Sequence, residues 1–187
     1  MKIWVNGTFD VIHRGHIELL TEAAKSVEAG GADFLLICTN TMHKVADHIA
    51  SSISIPILHI ADATAAQLKH DKITRVGLLG TQFTMEQNFY KGRLTDKHNI
   101  EVLIPEPNER ERVHDIIYNQ LCQGIINDEA RTEFINIIER MFEKGAQAIV
   151  LGCTEIALLV EPQHTTVPLY DTTQIHTQAA VKLALTK

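Results

Sequence analysis

Two short stretches of this chain repeat one pattern, and each ends in a side chain able to handle a proton. The first reads Gly31-Ala-Asp-Phe-Leu-Leu-Ile-Cys-Thr39, followed by Asn40 and Thr41; the second reads Gly145-Ala-Gln-Ala-Ile-Val-Leu-Gly-Cys153, followed by Thr154 and Glu155. Each is a Gly-Ala turn, an apolar run long enough for one buried strand, and a small polar residue where the strand should stop. Counted from the glycine, Thr39 rather than Cys38 stands opposite Cys153. Carboxyl ends of strands are where open α/β sheets handle ligands. Two half-sites facing across a cleft would suit a reaction that needs one group on each face of a substrate. A thiolate can serve there as a carbon-acid base if its surroundings hold its pKa near neutrality.

The elements that must position these residues alternate strand and helix. Strands are expected at 2–6, 33–38, 56–60, 75–80, 100–104, 148–151 and 168–170. Helices are expected at 16–29, 43–51, 63–70, 84–95, 109–120, 128–144 and 173–185. Apolar strands joined by helical crossovers mean parallel sheets covered on both faces. The expected fold is α/β, with two pseudo-symmetric lobes, each a short, mainly parallel sheet with flanking helices. Residues 1–68 would form the first lobe, joined by the C-terminal helix 172–187, and residues 69–171 the second. The stretch from Trp4 to Thr39 is less than half as long as that from Val76 to Cys153, so the first lobe reads as truncated by about one β–α unit.

Bulk properties narrow the function classes. The 187 residues carry a formal net charge of −6, which argues against a nucleic-acid surface. No apolar run approaches the roughly 18 residues of a membrane span, and the amino terminus lacks a signal pattern. Three cysteines without a secretory signal read as reduced thiols in the cytoplasm. A zinc site built from Cys38, His43, Cys153 and His176 lacks the usual ligand spacing; no metal is expected.

Five stretches carry a family resemblance: Cys-Thr-Asn-Thr-Met-His-Lys (38–44), Leu-His-Ile-Ala-Asp-Ala-Thr (58–64), Gly-Leu-Leu-Gly-Thr-Gln-Phe-Thr-Met-Glu-Gln (77–87), Gly-Cys-Thr-Glu-Ile (152–156) and Tyr-Asp-Thr-Thr-Gln-Ile-His (170–176). From about residue 27 to 187 the chain resembles the aspartate/glutamate racemases, above all their broad-specificity bacterial branch. The resemblance implies a cofactor-independent enzyme that inverts the α-carbon of a free amino acid, acidic or other, as its small-molecule substrate, and a homodimer. Cys153 matches the family's second-lobe cysteine, which serves the L-face. The first-lobe cysteine is replaced by Thr39, with Cys38 one residue early and expected to turn into the lobe. Turnover should therefore be asymmetric, with Cys153 taking the α-proton of an L-amino acid and the proton returning near Thr39. By the same matching Asn40, Thr41 and Thr154 would bind the substrate's α-carboxylate or α-ammonium, and Thr81 and Thr84 would face the cleft. Glu155 and His176 would hold Cys153 as a thiolate. From the residues alone, Thr84 also reads as a helix N-cap with Gln87 completing a capping box, His43 and His59 as structural, and Cys122 as core.

Residues 1–25 resemble something else. Gly7-Thr8-Phe9-Asp10-Val-Ile-His13-Arg-Gly15-His16 is similar to the cytidylyltransferase-type nucleotidyltransferase signature. That resemblance implies a nucleotide site using Thr8, His13 and His16, in which the histidines stabilise an α-phosphate at a helix start. The alternatives to a racemase are therefore such a transferase, or a binding domain that keeps the cleft without turnover.

Overall fold

The computed structural model describes residues 12–186; the expected strand at 2–6 and Thr8 lie outside them. Two parallel sheets form the frame, as the alternation of strand and helix requires. The smaller pairs β1 (Leu35–Leu36) with β2 (Ile57–Leu58), Leu35 opposite Ile57. The larger has the order β4-β3-β5-β6, from β3 (Arg75–Leu79), β4 (Glu101–Leu103), β5 (Ala148–Leu151) and β6 (Leu169–Asp171). Its helices are α3 (Ile60–His70), α4 (Gln82–Glu86), α5 (Pro107–Asn119), α6 (Asp128–Glu143), α7 (Ile156–Leu159) and α8 (Thr172–Leu185). The smaller sheet carries α1 (Arg14–Ala29) and α2 (Ala46–Ala50), the latter entered through a 3-10 turn, Thr41–Val45. No helix among the described residues is long and apolar enough to cross a membrane.

The sequence repeat has a physical cause. Both α1 and α6 end in the same six-residue cap with a left-handed glycine, Gly31 (φ 83°) or Gly145 (φ 97°). Gly31 N–H donates to Glu28 O and Ala32 N–H to Val27 O; Gly145 N–H donates to Phe142 O and Ala146 N–H to Met141 O. This cap satisfies the last helical carbonyls and turns the chain into the next strand. The Gly-Ala pair is thus a helix stop placed before β1 and again before β5.

The two halves are unequal in core. On the larger sheet Val76, Leu78, Ala148 and Val150 pack with α3, Tyr90 and Leu94 on one face. Leu79, Ile149 and Leu151 pack with α5, α6 and α7 on the other. Alternate residues go to opposite faces and both faces are apolar, as burial on two sides demands. The smaller sheet rests on Ala24, Met42, Val45 and Ile49 with flanking partly buried residues such as Leu35 and Ile57. Helix α3, expected in the first lobe, contributes Ile60, Ala61, Ala65 and Leu68 to the second core.

The helix expected over 84–95 is broken. Helix α4 stops at Glu86 because Gln87 is extended (φ −84°, ψ 150°), and residues Arg93–Lys97 form a π-helical turn. That turn is held from outside. Arg93 donates to both carboxylate oxygens of Asp62, at 2.8 Å each, while Lys97 and His98 bond the same group at 2.8 and 2.7 Å.

Candidate active site

Cys153 stands just past β5, where the backbone leaves no room for a side chain before it. Gly152 N–H donates to Leu79 O at 2.6 Å. A Cβ on Gly152 would lie 2.9 Å from Leu79 O, and one on Gly80 would lie 3.0 Å from Gly152 O. These two glycines let the ends of β3 and β5 touch, which brings the Thr81–Thr84 loop beside the Cys153 turn. Thr84 packs its methyl against both glycine positions, and its hydroxyl lies 3.2 Å from that of Thr81. Both threonines are buried. Thr81, not Thr84, is the residue before α4, and its hydroxyl caps nothing. The expected capping box of Thr84 and Gln87 does not form, because Thr84 sits inside the helix.

The Cys153 thiol donates to Glu155 Oε2 at 2.9 Å, and Thr154 Oγ1 donates to the same oxygen at 2.6 Å. Burial pushes the thiol pKa up, and the Glu155 carboxylate pushes it further. Burial alone would raise Glu155, but the bonds from Cys153 and Thr154 outweigh it and hold this carboxyl below its ordinary range. The Glu155 carboxylate thus favours the protonated form of the resting thiol, where the sequence led us to expect a thiolate: a carboxylate at hydrogen-bond distance disfavours a second negative charge. His176 does not serve the thiol through its ring nitrogen either, since its Nε2 bonds Leu58 O at 2.7 Å.

At the end of β1 the picture differs. Cys38 is exposed and not turned into the lobe. Strand alternation fails to predict it because β1 is only Leu35–Leu36 and pairing ends before Cys38. Thr39 is half-buried, and its carbonyl accepts from His43 Nδ1 at 2.7 Å. Asn40 is buried; its Nδ2 donates to Thr172 Oγ1 at 3.0 Å, and Thr172 Oγ1 donates to Leu151 O at 2.8 Å. This relay ties the end of β1 to β5, two residues short of Cys153, so the halves of the repeat do converge. Asn40 Oδ1 has no protein partner. Thr41 is half-buried at the start of the 3-10 turn.

Three buried histidines lie behind Thr39. The ring centroid of His43 is 4.2 Å from that of His59 and 5.9 Å from that of His176. Burial pushes His43 down to about 4 and His59 to about 2, and lowers His176, so all three are neutral at pH 7. Cys122, expected in the core, is exposed in a 3-10 turn, Leu121–Gln123, and feels the charge of Glu155. A cavity of about 470 Å³ opens at the edge of β6, between Gln67, Asp71, Tyr170 and Gln174. It contains none of the residues expected to do chemistry. Among the described residues no three His, Cys, Asp or Glu side chains are grouped to hold a metal.

At the amino terminus His13 and His16 are used in capping. His13 Nδ1 accepts from Gly15 N–H at 3.1 Å, and His13 N–H points to His16 Nδ1 at 3.4 Å, with the rings stacked at 3.8 Å. The two histidines thus form the reciprocal cap of α1.

Comparison with known proteins places these features. The profile of the Asp/Glu/hydantoin racemase family matches residues 10–180. It includes His13 and His16, so the resemblance to that family extends into the segment read from sequence as foreign. A crystal structure from Yersinia pestis, described as a candidate Asp/Glu racemase, is 50% identical with a TM-score of 0.89, covering 92% of this chain and 75% of that one. The structure of an aspartate racemase homologue from Pyrococcus horikoshii is 32% identical with a TM-score of 0.83, covering 91% and 74%. The broad specificity amino-acid racemase RacX of Bacillus subtilis is 24% identical over 89% of this chain and 71% of its own length.

Proposed function

The chain belongs to the Asp/Glu/hydantoin racemase family, and we propose that it inverts the α-carbon of a free amino acid by moving the α-proton across the space between Cys153 and Thr39. The observation that carries this reading is the Cys153 thiol on the Glu155 carboxylate, set on the strand end to which Asn40 is tethered.

The resting thiol cannot accept a proton until it has released its own. Glu155 Oε2, already the acceptor, takes that proton and passes it to water, which balances the proton supplied on the opposite face, and the thiolate then removes the α-proton of an L-amino acid. The free lone pairs of Asn40 Oδ1 suit the substrate ammonium, a donor, better than its carboxylate. The Thr41 hydroxyl and whichever of the paired Thr81 and Thr84 hydroxyls is not donating to the other supply donors for the carboxylate, joined by Thr154 once its hydrogen turns from Glu155 to the substrate. On the opposite face the Thr39 hydroxyl delivers or relays a proton from water and completes the D-amino acid. A threonine hydroxyl is far too weak an acid to stand as a base, so the reverse direction is slow. No step calls for an electron-withdrawing cofactor. The reading includes a homodimer, as the family resemblance implies, working in the cytoplasm, as the three free cysteines suggest, and light scattering on the purified protein tests the dimer.

The test is α-deuterium incorporation in D2O from L- and D-aspartate, glutamate and neutral amino acids, followed by NMR and chiral chromatography. Faster initial turnover from the L-form is expected. Equal rates would remove the asymmetry, and binding without any exchange would identify a non-catalytic binding domain instead.

A further inference from the structure

The carbonyl of Thr39 is held by a side chain that also reaches into the other half of the molecule. His43 Nε2 accepts the backbone N–H of Ile60 at 3.1 Å. The proton of this neutral ring is therefore on Nδ1, which donates to Thr39 O at 2.7 Å. Ile60 opens α3, and α3 is packed into the core of the larger sheet. One imidazole, 2% exposed, thus joins the Thr39 peptide to the half that carries Cys153. Its packing partners are pinned in turn: His59 Nδ1 accepts from Ala61 N–H at 3.2 Å, and His176 bonds Leu58 O. The two-residue strand β1 cannot fix Thr39 by itself.

We propose that His43 is a positioning residue that sets the Thr39 peptide for proton return to the substrate. The inference rests on the role given to Thr39 above. Burial supports it, because a protonated ring would lose its acceptor nitrogen and release Ile60, and burial disfavours that form.

Two near-isosteric variants separate the bonds. In His43→Asn the amide nitrogen occupies the place of Nδ1 and keeps the bond to Thr39 O, while the bond from Ile60 is lost. In His43→Gln the amide oxygen occupies the place of Nε2 and keeps the bond from Ile60, while the tether to Thr39 is lost. The readout is the ratio of α-deuterium exchange with retention to inversion, starting from L-substrate in D2O. Exchange with retention uses only the Cys153 face. Losing one hydrogen bond should raise this ratio about five- to tenfold in His43→Gln, with exchange itself preserved and His43→Asn near wild type. The proposal is overturned if both variants shift the ratio equally, if neither shifts it, or if the ratio follows the melting temperature across the pair. Absence of exchange in the wild type would fail earlier, removing the role of Thr39 and this inference with it.

Discussion

The ends of β5 and β1 occupy matching places in the sequence repeat, yet they are built to different tolerances. Beyond β5, Cys153 follows a glycine wedged against Leu79 O and leads into a helix with a fully buried core. Cys153 packs against the apolar core, and the Glu155 carboxylate touches its thiol directly. Beyond β1, Thr39 follows an exposed cysteine and a two-residue strand, and its position depends on hydrogen bonds to His43 and, through Asn40, to Thr172. Packing fixes one end of the repeat and polar tethers fix the other. A site can thus be half rigid by apolar burial and half rigid by hydrogen bonding, and the two halves should fail under different insults.

The largest effect should come from the packed end. Cys153→Ala is expected to lower α-proton exchange by on the order of 10³-fold, the middle of the range for a positioned acid–base group, with the melting temperature nearly unchanged. Exchange that survives in this variant would take Cys153 out of the mechanism.

Acid should strike the tethered end. His43 is held down to about 4 against about 6.5 in the unfolded chain, so its contribution is complete above that unfolded value. It is lost as pH falls, because the unfolded chain then binds more protons. The loss from His43 alone is about 3 kcal/mol between pH 6.5 and 4, measurable by urea unfolding across that window. His59 and His176 act in the same direction. A flat stability profile down to pH 4 would mean that the histidines are not buried in the folded protein.

Making the two ends alike is the next test. Thr39→Cys should raise the rate from D-substrate by about 10²-fold, the lower end of what a placed acid–base group contributes, and bring the two directions closer together. No gain would show that the Thr39 side chain does not face the substrate. The smallest effect is expected from Glu155→Gln. Removing that charge should shift thiol titration, followed by absorbance near 240 nm, about one unit down, yet lower exchange at pH 7 about tenfold because the proton acceptor is gone. A rate that rises with the thiolate fraction would make Glu155 a brake instead.

Much of the packed end was legible in the sequence. The buried strands β3 and β5 follow from unbroken apolar runs, and the Gly-Ala repeat located both helix stops. The tethered end was harder to read. The alternation rule that placed Cys38 inside needs a longer strand than Leu35–Leu36. The His43 spacing, four residues after Thr39, was visible, but its second partner, Ile60, belongs to another element. The π turn is held by Asp62, more than thirty positions away from Arg93, Lys97 and His98, and local pattern cannot report such a partner. The role of Glu155 was legible only as a neighbour of the thiol. The direct 2.9 Å contact, which favours the protonated resting thiol, is a matter of side-chain placement that sequence does not give.

The bond from Asn40 to Thr172 spans 132 positions of chain. A ribosome adding roughly 5 to 20 residues per second makes the first partner many seconds before the second. Until Thr172 is made, the Asn40 amide lacks this partner and the strand end that carries Thr39 lacks this link to β5. On the proposed reading the two ends are fastened together only after residue 172 has been added, and a nascent chain stalled before that point would carry Cys153 and Thr39 without this tether between them.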